Sequence, residues 1–279
     1  MYKDDAILYR LAQRDALRRD LLAAVGKKIF KLLAKASVMK RKKSFPLYIQ
    51  GQENIPEGAV IIVAAHTGRL DVEVFIQSVG RYVNPVVAID ADVRESDWLL
   101  LKLLDTTGTM RSGSTIAAKR RKEAKQEMRS KLLKGNPAII WPEGTYCPIY
   151  NDMLGLFKGG CVELAQELDI PIVPLSSAWT WDVDGNITGC YVEFQKPFLC
   201  NEYSDSIQAV IALRELMLSE KRRMNAKHNP GKTQADFTVF RRRQAELSPI
   251  KNYDYFEGAR FSLNYKFDPE GTEALFRNN

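Results

Sequence analysis

Histidine is scarce in this chain, with two among 279 residues. One of them, His66, stands in the stretch AAHTGRLD (64–71), just after the apolar run Ala59–Val63 and shortly before Asp71. An imidazole can take and return a proton near neutral pH, and a carboxylate within reach can orient it. Along one continuous α-helix the two residues cannot face each other, because five residues turn about 500°, or about 140° net. They meet if His66 sits on a turn and Asp71 on the first helical turn beyond Gly68. Asp71 then accepts from one ring nitrogen and the other acts as the base. A plainer arrangement uses the same residues: Asp71 caps a helix and His66 lines a polar loop. Taken alone, the short H-x4-D pattern favours the plainer one.

Two further strand-like runs end in residues of interest. Ala138–Trp141 leads into PEGT (Pro142 to Thr145), and Ile172–Leu175, which contains Pro174, leads into Ser176 and Ser177. In open α/β sheets, ligands sit beyond the carboxyl ends of the strands, so these positions are where a site would assemble. A serine hydrolase is disfavoured, since no G-x-S-x-G elbow occurs. Cys147, Cys161, Cys190 and Cys200 show neither C-x-x-C nor metal-ligand spacing, and two histidines add little. The expectation is a reduced, cytosolic chain without a metal site.

The elements that would hold these residues follow from periodicity. Short β-branched runs at Leu47–Gln50, Ala59–Ala65, Pro85–Ile89, Ala138–Trp141, Ile172–Leu175 and Tyr191–Phe194 read as strands. Helical spacing occupies 71–81, 95–104, 115–134, 158–168 and 205–224. Such alternation predicts an α/β fold, a mostly parallel central sheet flanked by helices on both faces. After Asn225 the helical signal fades and aromatics accumulate in NYDYFEGARFSLNYKF, which predicts a tail packed on the main domain. The domain reading is therefore 1–45, 46–224 and 225–279.

Residues 1–45 differ from the rest in charge. They hold 13 Lys/Arg against 4 Asp/Glu, a net of +9, within a chain whose total is +7, so the remainder carries −2. From 25 to 36, Val25, Ile29, Leu32, Leu33 and Ala36 share one helical face, opposite Lys27, Lys28, Lys31 and Lys35. KRKK (Lys40 to Lys43) follows. This one-sided basicity predicts an amphipathic helix lying on an anionic membrane surface, each nearby Lys or Arg contributing ~1 kcal/mol. Nucleic acid is not the expected partner, because the stretch has little aromatic interleaving and no recognisable nucleic-acid motif. No run approaches the roughly 18–20 apolar residues that span a bilayer, which predicts peripheral attachment, on the cytoplasmic face.

HTGRLD, then GTMR (108–111), then WPEGTY (141–146), then the apolar IPIVPL around Pro174 fall in an order that resembles the PlsC-type glycerolipid acyltransferases, the family of the 1-acylglycerol-3-phosphate acyltransferases. The resemblance runs from LYIQGQENIPEG (47–58) to about Phe198. It implies that His66 takes the proton of an acceptor hydroxyl and that Asp71 orients it. It further implies that Gly108 and Arg111 help to hold the acceptor's phosphate, that Glu143, Gly144 and Thr145 contribute to acceptor binding, and that Pro174 belongs to the fourth block. The implied substrates are an acyl thioester, acyl-CoA or acyl-carrier protein, and a lysophospholipid. No metal or cofactor is implied. The chemistry is consistent on its own terms, because a thioester is already activated and a base on the incoming hydroxyl suffices. The chain departs from the pattern at Tyr146, where arginine is usual, and at Met110, and it lacks the common asparagine before His66. Arg69, Arg111, Lys119, Arg120, Arg121 and Lys158 are the cations that could compensate. Of these, Arg120 and Arg121, with Lys122, read as a solvated helix face. Acceptors other than a lysophospholipid (glycerol 3-phosphate, an amino-acid lipid, a glycolipid) stay open at this point, as does a non-catalytic membrane- or nucleic-acid-binding module.

Overall fold

The computed structural model of the chain describes residues 45–67, 70–88, 105–110, 114–144 and 154–246. The basic segment up to residue 44, the expected helix at 95–104, Arg69, Arg111, Thr145, Tyr146 and the aromatic tail beyond 246 lie outside the described residues.

Among the described residues, seven strands form one sheet in the order β1-β7-β6-β2-β5-β3-β4. They are β1 (Leu47–Gln50), β2 (Ile61–Ala64), β3 (Asn84–Ala88), β4 (Thr107–Thr109), β5 (Ala138–Ile140), β6 (Ile172–Trp181) and β7 (Ile187–Phe194). Every pairing is parallel except β6 with β7. β2 lies in the middle, between β6 and β5, with all four of its residues buried. A strand covered on both faces needs apolar groups at every position, which is why β2 reads as an unbroken run rather than an alternation.

The two faces divide by parity. Val60, Ile62 and Ala64 pack with Val173, Leu175, Trp179 and Trp181 into one apolar cluster. Ile61, Val63 and Ala65 pack with Ala138, Ile140 and Ile172 into the other. The first face is covered by α1 (Leu70–Ser78), through Val74 and Phe75, and by α5 (Gln234–Glu246), through Phe237 and Phe240. The second is covered by α2 (Thr115–Leu133), α3 (Gly160–Leu168) and α4 (Ser206–His228). Ser114 caps α2 by accepting from the Ala117 amide at 3.1 Å, and Asp205 caps α4 by accepting from Gln208 at 2.8 Å. The expected mostly parallel sheet with helices on both faces is therefore the fold observed.

Five features differ from expectation. β6 does not stop at Leu175 but continues through Ser176 and Ser177 to Trp181, and β7 starts at Ile187 rather than Tyr191. The serines disguise the run, yet both are buried. A hairpin joins the two strands. Asp182 accepts from the amides of Asp184 at 3.0 Å and Asn186 at 2.9 Å, and Gly185 takes a φ of +79°. β4 went unforeseen because Thr-Gly-Thr carries no apolar signal. α4 continues past 224 to His228, and α5 follows where periodicity had faded. Its start is a reciprocal cap. Thr233 donates its backbone N–H to Asp236 Oδ2 at 2.8 Å, and the Asp236 amide donates to Thr233 Oγ1 at 3.3 Å. Trp181 stacks on Phe240 with centroids 4.7 Å apart, which seats α5 on the sheet.

Candidate active site

β2 delivers His66 to the carboxyl edge of the sheet, and α1 begins four residues later with Asp71 in its first turn. His66 Nδ1 lies 3.2 Å from Asp71 Oδ2. The same oxygen accepts the Thr67 amide at 2.5 Å, and Oδ1 accepts the Trp179 indole N–H at 3.1 Å. Asp71 thus does both things the sequence allowed: it receives a turn amide at the head of α1, and it meets the imidazole. Its side chain is fully buried, that of His66 14% exposed. A buried carboxylate is tolerable only with several donors around it, and a helix N-terminus adds a favourable field. A carboxylate only accepts, so Nδ1 carries the proton toward Asp71, and a base would have to act through Nε2.

Glu143 fixes the backbone of His66. Its Oε1 accepts the His66 amide at 2.8 Å and its Oε2 accepts the Gly155 amide at 2.7 Å. The buried side chain therefore ties three segments together: the end of β2, the turn after β5 and the approach to α3. Trp141, just before that turn, sets its ring 5.4 Å from the His66 ring at 35°. Gly144 in the turn has φ +67°, a conformation that disfavours any residue with a Cβ. Thr145 completes the expected block outside the described residues.

Gly108 and Pro174 stand apart from this cluster. Pro174 is a sheet residue, level with Val63 and short of His66 in the neighbouring strand. Its carbonyl accepts from Gln195 just past the end of β7, so the missing N–H faces the edge where the ladder has stopped. Gly108 lies in β4, at the far edge of the sheet. There the expectation of a solvated Arg120 fails. Arg120 is buried, donates from Nε to the Gly108 carbonyl at 2.7 Å, and reaches Glu127 at 3.1 Å. Arg121 and Lys122 are exposed as expected, Arg121 also donating to the Met110 carbonyl at 3.2 Å. The reason is geometric. α2 packs beside β4, a strand with few apolar groups of its own, and long basic side chains satisfy its carbonyls. Lys131 assists by donating to Thr107 Oγ1 at 3.0 Å.

Trp179 and the positioning role of Glu143 were not foreseen. Trp179 lies 108 residues from Asp71, and only the pairing of β6 with β2 brings the two together. Among the described residues no group of three or more His, Cys, Asp and Glu could hold a metal ion, and no helix is long and apolar enough to cross a membrane.

Residues 46–178 match the family model described as Acyltransferase. A probable 1-acyl-sn-glycerol-3-phosphate acyltransferase of Mycoplasma pneumoniae is 29% identical over 154 residues, covering 54% of this chain and 54% of the relative. Its counterpart from Mycoplasma genitalium is 29% identical over 147 residues, 49% of this chain and 53% of the relative. The chain spans about half the length of these curated relatives. The crystal structure of the 1-acyl-sn-glycerophosphate (LPA) acyltransferase PlsC from Thermotoga maritima superposes with a TM-score of 0.56 at 19% identity, covering 78% of this chain and 91% of that one. At that identity the likeness is one of fold. Residues 46–178 thus match an acyltransferase-family model, and they do so on a sheet of the PlsC kind.

Proposed function

We propose that the chain transfers a fatty acyl group from acyl-CoA or acyl-carrier protein to the free hydroxyl of a lysophospholipid of the 1-acylglycerol-3-phosphate kind. The observation that carries this reading is the buried Asp71 carboxylate against His66 Nδ1 at the end of the central strand of an acyltransferase-family domain. As the acceptor oxygen attacks the thioester carbonyl, His66 Nε2 takes its proton and a C–O bond forms. The tetrahedral oxyanion collapses, the C–S bond breaks, and the imidazolium returns the proton to the departing thiolate. The products are an ester and a free thiol. Asp71 fixes the tautomer and stabilises the imidazolium between the two steps. Glu143, with both oxygens on backbone amides, holds His66 where the hydroxyl must arrive. The thioester supplies the activation, and no metal or cofactor enters the scheme.

In this reading Arg111 is the ligand assigned to the acceptor's phosphate, and Glu143, Gly144 and Thr145 are assigned to acceptor binding. Residues 1–45 attach the enzyme peripherally to anionic lipid on the cytoplasmic face, their net charge of +9 supporting that assignment. The names of the Mycoplasma relatives support the choice of acceptor. The deciding experiment is a matrix of acyl donors (acyl-CoA, acyl-carrier protein) against acceptors, run with purified protein and liposomes. The acceptors are 1-acylglycerol 3-phosphate, glycerol 3-phosphate, monoacylglycerol and buffer alone. Esterification of the lysophosphatidate is expected. Release of free fatty acid regardless of acceptor, or no turnover with any, would refute the proposal.

A further inference from the structure

We infer that Asn229 is a positioning residue for the proposed catalytic pair, acting through Trp179; the inference rests on the roles of His66 and Asp71 proposed above. Both residues come after residue 178, where the family match ends. Trp179 is buried and donates its indole N–H to Asp71 Oδ1 at 3.1 Å. The Phe45 ring meets the indole edge-on, with centroids 5.7 Å apart at 69°. The strand beneath the indole is held less evenly than its length suggests. β2 pairs with β6 only as far as Ala64 opposite Leu175. Trp179 stands about 13 Å further along at the usual rise of a strand, where β7 is its neighbour on one side among the described strands.

Strand pairing sets which way the backbone of Trp179 points. Trp179 lies opposite Cys190, and the Cys190 N–H donates the other way, to the Pro46 carbonyl at 3.0 Å. Opposed antiparallel residues exchange both bonds or neither, so the N–H and C=O of Trp179 face the side on which β2 has stopped. A buried carbonyl there needs a donor from elsewhere. Asn229 provides it, donating from Nδ2 to the Trp179 carbonyl at 2.9 Å across 50 residues of chain. Asn229 is buried too, and its backbone N–H donates to the Asn225 carbonyl at 2.8 Å where α4 ends. A relay thus runs from Asn229 to Trp179, to Asp71, to His66, with contacts of 2.9, 3.1 and 3.2 Å. Asp71 acts on the imidazole and not on a substrate, so loosening it lowers kcat and leaves KM alone. The plainer role for Asn229 is to end α4 and turn the chain toward α5. Its loss would then lower stability and leave the turnover of folded enzyme as it was.

The test uses the full-length chain with 1-acylglycerol 3-phosphate and one acyl-CoA donor. Trp179→Phe keeps a ring and deletes the N–H; Asn229→Leu keeps the size and deletes the amide donor. Asn229→Asp keeps the shape and puts an acceptor in the donor's place, and it serves where Asn229→Leu does not fold. Per folded molecule, kcat should fall roughly tenfold to hundredfold in Trp179→Phe, which loses a contact to a charged group. It should fall roughly threefold to tenfold in the Asn229 variants, which lose a neutral one. KM for both substrates should hold. In an Asp71→Asn background none of these substitutions should lower kcat further, because the carboxylate they position is gone, whereas general loosening would make the losses multiply. A second readout needs no turnover. The chain has four tryptophans, so the indole N–H resonance that Trp179→Phe removes from the NMR spectrum is assigned directly. It should move in the Asn229 variants and in Asp71→Asn. Wild-type kcat in folded Asn229 variants, an unmoved indole resonance, or multiplying losses would each overturn the inference and leave the proposed function standing. Normal turnover by a folded His66→Ala enzyme, or a wild type that transfers no acyl group, removes the proposed function and the relay with it.

Discussion

Replacing Asp71 with asparagine keeps the shape of the side chain and removes its charge, and its surroundings determine the consequences. Three donors converge on the carboxylate: the Thr67 amide at 2.5 Å and His66 Nδ1 at 3.2 Å on one oxygen, and the Trp179 indole at 3.1 Å on the other. An amide has a single acceptor oxygen. If that oxygen faces Thr67 and His66, the amide NH2 meets the Trp179 N–H, leaving a buried donor without an acceptor at about 1–3 kcal/mol. If it faces Trp179 instead, the NH2 points at Thr67 and at the imidazole. It then donates to Nδ1 and drives the ring proton to Nε2, the wrong tautomer for a base. In either orientation the imidazolium loses its counter-charge. At 3.2 Å that attraction is worth about 5 kcal/mol in an effective dielectric of 20, or about three to four orders of magnitude in rate as an upper figure.

Asp71→Asn is therefore expected to melt at lower denaturant, by about 1–3 kcal/mol, and to lose ~10²–10⁴-fold in kcat while remaining folded. The assay is thiol release from acyl-CoA in the presence of acceptor, run beside urea unfolding. His66→Ala and the double variant complete a cycle. Residues that act as a unit are not additive, so the double variant should be no slower than His66→Ala. A folded Asp71→Asn enzyme with near-normal turnover, or losses that simply multiply, would refute the reasoning.

His66→Ala alone should abolish transfer above background with stability little changed, because the ring is partly exposed and its backbone contact to Glu143 survives; thermal melting and the same thiol assay check both halves. Arg120→Met should cost about 2–3 kcal/mol, because it strips the Gly108 carbonyl and Glu127 of a buried partner, whereas Lys122→Met should stay within about 0.5 kcal/mol. Equal effects of those two substitutions on the urea midpoint would count against the brace. Burial pushes the Cys161 thiol up to about 12 and the Cys200 thiol up to about 11, so both stay protonated at neutral pH. Neither should alkylate in native protein at pH 8, and both should do so in denaturant, as read by mass spectrometry. Deleting residues 1–45 should weaken binding to anionic liposomes far more than turnover of a short-chain, water-soluble acceptor, with sedimentation and activity measured on the same preparation.

The sheet was legible where apolar side chains run together. β1, β2, β3 and β5 are runs of apolar and β-branched residues, and their boundaries fall within a residue or two of the reading from sequence. Where a strand carries its own polar groups into the interior the signal fails. Ser176 and Ser177 hide the middle of β6, and Thr-Gly-Thr hides β4. The start of α5 was written in Thr233-Gln234-Ala235-Asp236, a cap pattern masked by the Asn-Pro-Gly that precedes it. At the site, local order suggested that His66 and Asp71 could meet, because both lie within one turn of chain. What holds them could not be read the same way. Glu143 is 77 residues from His66 and Trp179 is 108 from Asp71, distances along the chain that only the strand order closes. Arg120 shows the same limit. A charged residue on a helix looks solvated until a carbonyl-rich edge strand is laid beside it.

The mixed sheet also carries a consequence for how the chain is made. Synthesis delivers β1 and β2 first, but among the described strands β1 pairs only with β7, Leu47 opposite Cys190, and β2 waits for β6, Ile61 opposite Ile172. Nascent chain emerging from the ribosome therefore holds its central strand unpaired on one side until most of the domain has been translated. The β6–β7 hairpin is the local unit that ends this wait, since its strands are joined by a short turn and can zip as soon as both have emerged. One and the same strand then docks beside β2 and brings Trp179 to Asp71. Closure of the sheet and assembly of the site thus become a single late event. A ribosome-stalled chain ending at residue 178, where the family match stops, lacks the tryptophan and all of β7. Acyl transfer is expected to appear in such arrest-length series only once the hairpin is complete, making activity itself a clock for the last step of folding.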